Sequence, residues 1–306
     1  MALRPFLGDH LSETGKAADE LRDVILCIAQ AGIQIQASLR KTDTGLSDTQ
    51  NQFGEQQVKL DIVSDDIIQK HLKECGLVAS YISEEQNDVI ELSSTAPYSV
   101  AYDPLDGSSL VDVNFAVGSI FGIYRGNELI GKKPKQQVAA LYVLYGPRTL
   151  LVYSTGNGVH EFILNDTGEF VLLHESLKVA ETAKNFAPGN LGSIMDDKPY
   201  HEVFHAWLKD KMTLRYSGCM VADVHHILSK GQGVFTYPAG SKYPDGKLRL
   251  VFECGPFAYL MEHAGGAASD GTSAIMDKKI TDIDQRTPLI IGSKKEVERV
   301  CALLRK

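Results

Sequence analysis

Apolar side chains near the N-terminus recur at the spacing of one helical face. Leu21, Val24, Ile25 and Ile35 mostly keep to that spacing, which predicts a long amphipathic helix. The sequence Asp-Thr-Gly at 43–45 breaks the pattern and predicts that the helix has ended by then.

A second signal follows further along the chain. Val58, Leu60 and Ile62 alternate with other residues, which predicts a short strand. Ser64 then precedes two acids, a pattern typical of the start of a helix. Asp61 is therefore expected beside a strand-to-helix junction.

The middle of the chain is rich in short apolar and β-branched runs. We predict strands at 78–83, 98–102, 119–124, 139–145, 150–153, 159–164 and 170–173. Beyond the Pro-Gly pair at 188–189 the pattern changes to alternating helices and strands. We predict helices at 200–209, 221–229 and 256–263, and strands near 213, at 234–237 and at 289–291.

The last predicted helix starts after Ser293, which is followed three residues later by Glu296. This spacing predicts a capping box. The change of pattern in the second half indicates an α/β protein with two subdomains, 1–180 and 181–306.

Composition and charge exclude several classes of protein. The 306 residues include 31 Lys and Arg against 39 Asp and Glu, a net charge of −8, and they contain no basic run, so nucleic-acid binding is not expected. No apolar stretch reaches the roughly 18 residues of a bilayer span, and no signal peptide is recognisable. We therefore expect no membrane association and a cytoplasmic location. Five widely spaced cysteines without a C-x-x-C pair argue against disulfides and a structural zinc site.

Pairs of acidic residues follow two of the predicted strands. Glu84 and Glu85 come after one strand, and Asp103 and Asp106 come after the next. Ligands of open α/β sheets usually bind at the carboxyl ends of strands, and four carboxylates gathered there would repel one another unless cations lay among them. Mg²⁺ is the natural cation for such oxygen ligands. Gly107 permits a tight turn that directs backbone N–H groups at an anion.

A surface turn is the alternative interpretation of these acids. It suits Glu84 and Glu85 taken alone, because exposed acid pairs are common. It does not suit the string Asp-Pro-Leu-Asp-Gly-Ser at 103–108, because turn chemistry explains one aspartate but not both.

These motifs also carry a family resemblance. Residues 103–109, Asp-Pro-Leu-Asp-Gly-Ser-Ser, together with Ser-Glu-Glu at 83–85, resemble the metal signature of the lithium-sensitive sugar phosphatase superfamily. Residues 117–124, 216–225 and 246–253 resemble the fructose-1,6-bisphosphatase and sedoheptulose-1,7-bisphosphatase family in particular. The resemblance covers nearly the whole chain. It implies a layered α-β-α-β-α sandwich, with a metal-binding subdomain at 1–180 and a sugar-phosphate-binding subdomain at 181–306.

The resemblance also implies roles for individual residues and a cofactor of two or three Mg²⁺ ions. The implied metal ligands are Glu84, Glu85, Asp103, Leu105 through its carbonyl oxygen, Asp106 and Glu253. The implied catalytic residues are Asp61, which polarises the attacking water, Glu85, and Glu55, which stands where fructose enzymes usually carry an aspartate on a mobile loop. The implied donors to the transferred phosphate are Gly107 and Ser108. The groups implied to hold the sugar and its distal phosphate are Asn190, Arg215, Tyr216, Tyr237 and Lys247.

Three segments, 186–191, 214–218 and 269–272, are more similar to the sedoheptulose enzymes. The implied reaction is the Mg²⁺-dependent hydrolysis of the C1 phosphate of sedoheptulose 1,7-bisphosphate, which gives sedoheptulose 7-phosphate and phosphate. Fructose 1,6-bisphosphate is the alternative substrate, alone or in the same active site. The implied assembly is a homodimer or homotetramer in which Arg215 reaches across a subunit interface. Residues 18–22 lack the threonines of AMP-inhibited fructose enzymes and no close cysteine pair is present, so neither AMP nor thioredoxin control is expected.

Two other functions are weaker. An inositol monophosphatase would give Arg215 and Tyr237 no distal anion to hold. A catalytically silent binding protein would have little reason to keep a set of mutually repelling acids. The pair His225 and His226 lacks a third metal ligand at suitable spacing, and adjacent helical residues point in different directions.

Overall fold

The computed structural model describes residues 4–41, 46–50, 56–86, 88–193 and 197–305. The chain divides into two compact units. The first contains the residues up to Leu129 together with Gln137–Ser176, and the second contains Ile130–Gln136 and the residues from Leu177 onward. Residues 130–136 belong to the second unit although the residues on both sides of them belong to the first. The sequence pattern predicts a single boundary near residue 180 and gives no sign of this earlier segment.

In the part of the first unit that the structure describes, three α-helices accompany a mixed sheet. The helices are α1 (Leu7–Glu13), α2 (Asp19–Leu39) and α3 (Lys59–Cys75). The strands are β1 (Leu46–Gln50), β2 (Gln56–Val58), β3 (Val78–Ser83), β4 (Ile90–Glu91), β5 (Tyr98–Asp106), β6 (Val117–Arg125), β7 (Gln137–Tyr145), β8 (Thr149–Ser154), β9 (His160–Leu164) and β10 (Phe170–His174). Eight strands form one sheet in the order β10-β9-β8-β7-β6-β5-β3-β4, and β1 pairs with β2.

The apolar face predicted for the first long helix is confirmed. Leu21, Val24, Ile25 and Ile35 on α2 are buried in the core of this unit. Removing such side chains from water stabilises the fold by about 1.5–3 kcal/mol each, which explains why α2 packs against α3 and the sheet.

The strand predicted around Leu60 and Ile62 is wrong. Strand β2 ends at Val58 and helix α3 begins at Lys59. Leu60 shares the core with Ile67 and Ile68 about two turns later, so these core residues follow the helical period. The alternation over three apolar positions is too short to define a strand.

Among the residues described, the second unit contains four further α-helices and five strands. The helices are α4 (Lys198–Lys209), α5 (Met220–Lys230), α6 (Gly255–His263) and α7 (Lys294–Leu304). The strands are β11 (Asn185–Pro188), β12 (Thr213–Leu214), β13 (Val234–Tyr237), β14 (Ala267–Ser269) and β15 (Leu289–Gly292), in the order β12-β11-β13-β15-β14. Phe186 and Trp207 pack in its core with ring centroids 4.9 Å apart and ring planes tilted by 31°. The α/β class predicted from the sequence is confirmed.

The predicted capping box at the start of α7 is wrong. Ser293 is the N-cap residue but makes no side-chain cap, because its Oγ accepts a hydrogen bond from the Gly233 backbone N–H at 3.2 Å. Glu296 instead accepts a hydrogen bond from Trp207 Nε1 at 2.7 Å. Tertiary partners have therefore taken both side chains away from the local motif.

The described helices include none with the length and apolar character needed to cross a membrane.

Candidate active site

The two strands that carry the acid pairs lie side by side. Strands β3 and β5 are parallel, with Ser83 opposite Tyr102. The Glu84 backbone N–H donates to the Tyr102 carbonyl oxygen at 3.0 Å. The turn that carries Glu84 and Glu85 is thus fastened to β5 immediately before Asp103.

A β-bulge in β5 brings its two aspartates to one face. Asp103 lies opposite Ile120 and Asp106 lies opposite Gly118, so three steps along β5 match two steps along β6. In a regular strand, residues three apart point to opposite faces. The extra residue of the bulge cancels that alternation, and one carboxylate oxygen of each aspartate lies within 4.8 Å of the other.

Hydrogen bonds on both sides hold the bulge. The Ser119 Oγ donates to the Pro104 carbonyl oxygen at 2.7 Å and lies 2.9 Å from the Tyr145 hydroxyl oxygen. The Leu105 backbone N–H donates to Asp103 Oδ1 at 2.9 Å. Asp103 is buried, so these contacts fix a carboxylate in a place where it has little access to water.

Asp65 is a buried carboxylate with two hydrogen-bond partners that adjoin these acids in the chain: Gln86 follows Glu85, and Tyr102 precedes Asp103. Its oxygens accept hydrogen bonds from the Tyr102 hydroxyl at 2.7 Å, from Gln69 Nε2 at 2.7 Å and from Gln86 Nε2 at 2.5 Å. Burial, and then the negative charge of Asp65, raise the pKa of Tyr102 well above its ordinary value, so Tyr102 remains a proton donor. Asp65 therefore links α3, β5 and the turn after β3. The sequence pattern predicts Asp65 only as an acid at a helix start after Ser64; the helix instead begins at Lys59, and Asp65 lies buried in its second turn.

Asp61 lies in the first turn of α3 and is buried. Its Oδ2 accepts a hydrogen bond from the Ser108 Oγ at 3.1 Å. Ser108 begins a short 3₁₀ helix, Ser108–Val113, and the residue before it, Gly107, has a φ of 79°. That left-handed conformation favours glycine, and it turns the chain sharply after Asp106, as the sequence predicts.

Glu253 belongs to the second unit, in a π-helical turn at Leu250–Cys254. It is buried, and its Oε2 accepts a hydrogen bond from the Arg249 backbone N–H at 2.6 Å. The Arg249 Nε in turn donates to Asp284 Oδ1 at 3.0 Å. A π turn is uncommon and recurs at functional sites, and here it fixes the position of a buried carboxylate.

Three of the residues expected to bind the distal phosphate share one region of the second unit. Tyr237 ends β13, and Asn190 Nδ2 donates to the carbonyl oxygen of the next residue, Pro238, at 3.1 Å. Burial raises the pKa of Tyr237, and the positive charge of Lys247 opposes that shift. A Cβ added to Gly189 would lie 2.4 Å from Tyr237 Cδ2, so the close approach of this ring requires a glycine.

Arg215 and Tyr216 lie on the surface just after β12. The Arg215 backbone N–H donates to the Phe186 carbonyl oxygen at 2.9 Å, and its Nη1 donates to the Leu214 carbonyl oxygen at 2.9 Å. Tyr216 is 43% exposed. Burial lowers the pKa of His226, and the positive charge of Arg215 lowers it further.

Comparison with known proteins identifies the family. The model of the fructose-1,6-bisphosphatase N-terminal domain matches residues 1–175, and that of the C-terminal domain matches residues 179–305. This chain belongs to the fructose-1,6-bisphosphatase family. It is accordingly a sugar-bisphosphate phosphatase, as the sequence motifs predict, and enzymes of this family depend on metal ions.

Individual relatives cover almost the entire chain. The class 1 fructose-1,6-bisphosphatase of Syntrophotalea carbinolica is 46% identical over 97% of this chain and 92% of its own length. That of Geobacter metallireducens is 46% identical over 94% of this chain and 91% of its own. Among solved structures, a Toxoplasma gondii protein assigned as a sedoheptulose-1,7-bisphosphatase has a TM-score of 0.92 at 33% identity, with 98% of both chains covered. The holo fructose-1,6-bisphosphatase of Leishmania major has a TM-score of 0.92 at 30% identity, with 99% of both covered.

Glu55 and Leu105 are the remaining predicted site residues. Glu55 lies outside the described residues. The Leu105 side chain is buried in the core of the first unit, so a role of this residue at a metal depends on its carbonyl oxygen, as the family resemblance implies.

Proposed function

We propose that this phosphatase hydrolyses the C1 phosphate of sedoheptulose 1,7-bisphosphate with Mg²⁺ as its cofactor, giving sedoheptulose 7-phosphate and inorganic phosphate. The observation that carries the proposal is the bulge in β5, which sets Asp103 and Asp106 on one face beside the turn that carries Glu84 and Glu85. Such an arrangement of like charges is unfavourable unless a cation is bound.

The donor set suits Mg²⁺. The carboxylates of Glu84, Glu85, Asp103 and Asp106 offer oxygen atoms alone, and oxygen is the ligand that hard divalent cations prefer. The family resemblance adds Glu253 and the Leu105 carbonyl to the ligands and implies two or three ions. When bound, Mg²⁺ would supply the positive charge that offsets the phosphate oxygens during phosphoryl transfer.

The protein groups around the acids have complementary roles in the proposed reaction. Asp61 orients the attacking water and accepts its proton, with Ser108 fixing the carboxylate through the 3.1 Å hydrogen bond. The backbone N–H groups of Gly107 and Ser108 hold the transferred phosphate, because the left-handed φ at Gly107 turns the chain there. Glu85 is a second candidate to accept a proton.

The distal phosphate needs cationic and hydroxyl donors. Lys247 and Tyr237 of the second unit offer both and are close enough for the lysine charge to affect the pKa of the tyrosine. Arg215, Tyr216 and Asn190 complete the proposed set. Arg215 is exposed on the surface, which suits the expectation that it serves a neighbouring subunit of a homodimer or homotetramer.

Sedoheptulose bisphosphate leads because residues 186–191, 214–218 and 269–272 resemble the sedoheptulose enzymes. The solved structures favour neither sugar, because the Toxoplasma gondii protein and the Leishmania major fructose enzyme have the same TM-score. Fructose 1,6-bisphosphate is the second candidate, favoured by the names of the bacterial relatives at 46% identity. Both substrates present a ketose head with a C1 phosphate and differ by one carbon in the position of the distal phosphate.

The test is Mg²⁺-dependent phosphate release from the two ketose bisphosphates and from inositol monophosphate. A higher kcat/KM for the sedoheptulose ester supports the proposal, and a clear preference for the fructose ester overturns the choice of sugar. Asp106→Asn should abolish turnover at any Mg²⁺ concentration, whereas Asp166→Asn, which removes an exposed acid of the same unit, should leave it unchanged. Unaltered turnover in Asp106→Asn would disprove the mechanism.

Lys247 allows the distal site to be tested separately. Lys247→Ala should raise KM for a bisphosphate by about 10-fold or more, because a charge-assisted hydrogen bond contributes about 1.5–3 kcal/mol. It should hardly affect hydrolysis of fructose 1-phosphate, which has no distal phosphate. Lys209→Ala, at the exposed end of α4, is the control, and an equal effect of Lys247→Ala on both esters would contradict the assignment.

A further inference from the structure

Three side chains outside the proposed active site converge in the first unit. His10 comes from α1, His160 is the first residue of β9, and Glu175 follows directly after β10. One ligand atom from each lies within 4.8 Å of the corresponding atoms of the other two. The histidines are 150 positions apart in the chain, so no local sequence motif indicates this cluster.

His10 has one satisfied and one unsatisfied ring nitrogen. Its Nδ1 lies 2.7 Å from the Tyr153 hydroxyl oxygen. Its Nε2 is buried and has no hydrogen-bond partner among the residues that the structure describes; it lies 3.7 Å from Glu175 Oε1, which is beyond hydrogen-bond distance. His10 is only 2% exposed, so water cannot readily satisfy that nitrogen, and a buried unsatisfied polar atom requires an explanation.

His160 is oriented in the way that metal-binding histidines usually are. Its Nε2 lies 2.9 Å from the Asn157 carbonyl oxygen, an acceptor, so Nε2 carries the proton and Nδ1 carries the lone pair. The Ser176 backbone N–H reaches that Nδ1 at 3.3 Å, a long hydrogen bond. A histidine that ligates a metal through one nitrogen typically donates its other N–H to a backbone carbonyl or a similar group.

His10 has a similar arrangement, with one ring nitrogen bonded to the protein and the other facing the cluster. Its Nδ1 contacts the Tyr153 hydroxyl, and its Nε2 faces Glu175. Burial, and then the neighbouring His160, lower the pKa of His10 by more than Glu175 raises it, and neutral imidazole is the form that ligates. Glu175 is 53% exposed at its side chain, which leaves this carboxylate free to adjust its position around an ion.

We propose that His10, His160 and Glu175 form a binding site for Zn²⁺ or a similar transition-metal ion, separate from the Mg²⁺ ligands. Two imidazole nitrogens and one carboxylate are a familiar zinc set with a fourth position open to water. Zinc–ligand distances of about 2.0–2.1 Å put the ligand atoms of a tetrahedral site roughly 3.3 Å apart, so the His10–Glu175 distance of 3.7 Å needs only a small contraction. Mg²⁺ is a poor candidate, because it prefers oxygen ligands.

A bound ion would cross-link α1 to the outer strands β9 and β10. Strand β10 is at the edge of the sheet, next to β9. Helix α1 has only seven residues, too few for a stable helix by itself. Zinc binding is therefore expected to raise the thermal stability of the protein without changing the phosphatase reaction.

The test is calorimetric titration of the chelator-treated, full-length protein with Zn²⁺ in the presence of excess Mg²⁺, which occupies the oxygen ligands of the active site. Wild type should bind one equivalent of Zn²⁺. Glu175→Gln and His160→Gln should each lower the affinity for that ion by about 10-fold or more. His205→Gln, a histidine of α4 in the other unit, should match wild type, and so should Asp106→Asn.

A spectroscopic readout and a stability readout accompany the titration. Co²⁺ added to wild type should give the visible absorption of a nitrogen-ligated ion, and the melting temperature should rise with Zn²⁺ in wild type but not in Glu175→Gln. Glu175 is half-exposed, so this variant is expected to fold even if His160→Gln does not. Equal Zn²⁺ affinity and stoichiometry in wild type, Glu175→Gln and His205→Gln would overturn the proposal, as would loss of the Zn²⁺ equivalent in Asp106→Asn alone.

Discussion

Ser108 donates a hydrogen bond to Asp61 across 47 positions of the chain, with an Oγ to Oδ2 distance of 3.1 Å. The contact joins the first turn of α3 to the turn that follows the bulge in β5. It restrains the carboxylate that we propose as the acceptor of the water proton.

Asp61→Asn should lower kcat by roughly 10²–10⁴-fold, because an amide keeps the shape of the side chain but cannot accept the proton. Ser108→Ala should lower it by about fivefold, the value of one ordinary hydrogen bond. Steady-state kinetics with saturating Mg²⁺ measure both. Ser12→Ala, which removes an exposed hydroxyl on α1, serves as the control, and a kcat in Asp61→Asn within a factor of two of wild type would contradict the assigned role.

Asp65→Ala should destabilise the protein strongly. The substitution leaves the Tyr102 hydroxyl and the Gln69 and Gln86 amides without the acceptor they share, at a cost of about 1–3 kcal/mol for each group that stays buried and unsatisfied. We expect the free energy of unfolding to fall by about 3 kcal/mol in urea titrations. Asp66 is the neighbouring exposed acid and offers a matched control. Asp66→Ala should change the free energy of unfolding by less than about 0.5 kcal/mol.

Asp65→Ala should lower enzyme activity as well as stability. Gln86 ties Asp65 to the turn that carries Glu84 and Glu85, so loss of the network should also raise the Mg²⁺ concentration needed for half-maximal activity. An Asp65→Ala protein with wild-type stability would show that the hydrogen bonds contribute nothing net.

Asp270 gives the stability of the second unit a pH dependence. Burial by itself would raise the pKa of its carboxyl, but hydrogen bonds from Lys278 and from the backbone of Ser273 and Thr272 outweigh it and lower the pKa to about 2. Because the folded pKa is below the ordinary value of 3.8, the stabilisation is fully present above about pH 4 and is lost as the pH falls toward 2.

Asp270→Asn should therefore lower the free energy of unfolding by about 1 kcal/mol at neutral pH, after allowance for solvent screening. The difference from wild type should shrink between pH 4 and pH 2, as followed by urea unfolding at each pH. A constant difference across that range would contradict the assignment. Asp277→Asn removes an exposed carboxyl beside Lys135 and should show little effect at any pH.

Gly246 is the residue before Lys247 and cannot carry a side chain without strain. It has a φ of 87°, and an added Cβ would lie 2.4 Å from the Thr287 backbone carbonyl carbon. Gly246→Ala should cost about 2 kcal/mol or more, since the left-handed conformation alone costs an alanine about 1–2 kcal/mol. Gly192→Ala, where an added Cβ meets no atom within 4 Å, should cost less than about 0.5 kcal/mol. Equal melting temperatures for the two variants would refute this explanation.

The sequence predicted best those elements whose signal is local. The strands of the central sheet and the buried face of α2 follow from apolar periodicity, which side-chain burial enforces directly. The acid pairs could be grouped in advance because parallel neighbours end at the same edge of a sheet. Glu84 and Glu85 follow β3, whereas Asp103 and Asp106 lie in the last four residues of β5, which continues past its predicted end at 102.

Features that depend on tertiary partners could not be predicted. Ser293 and Glu296 have the spacing of a capping box but bond to Gly233 and Trp207 instead. Asp61 was assigned to a strand-to-helix junction, although the helix already begins two residues before it. The approach of His10 to His160 depends on how α1 packs against the outer strands. The sequence of this chain contains no pattern that predicts such packing.

The bulge in β5 makes the active site depend on strand register as much as on residue identity. If β5 paired with β6 in regular register, every proposed ligand would remain in the chain, yet Asp103 and Asp106 would stand three regular steps apart and one carboxylate would point to the far side of the sheet. Ser119, whose Oγ holds the bulge through the Pro104 carbonyl oxygen, therefore serves the site without being a ligand, so redesign of this enzyme should keep the bulge and its hydrogen bonds together.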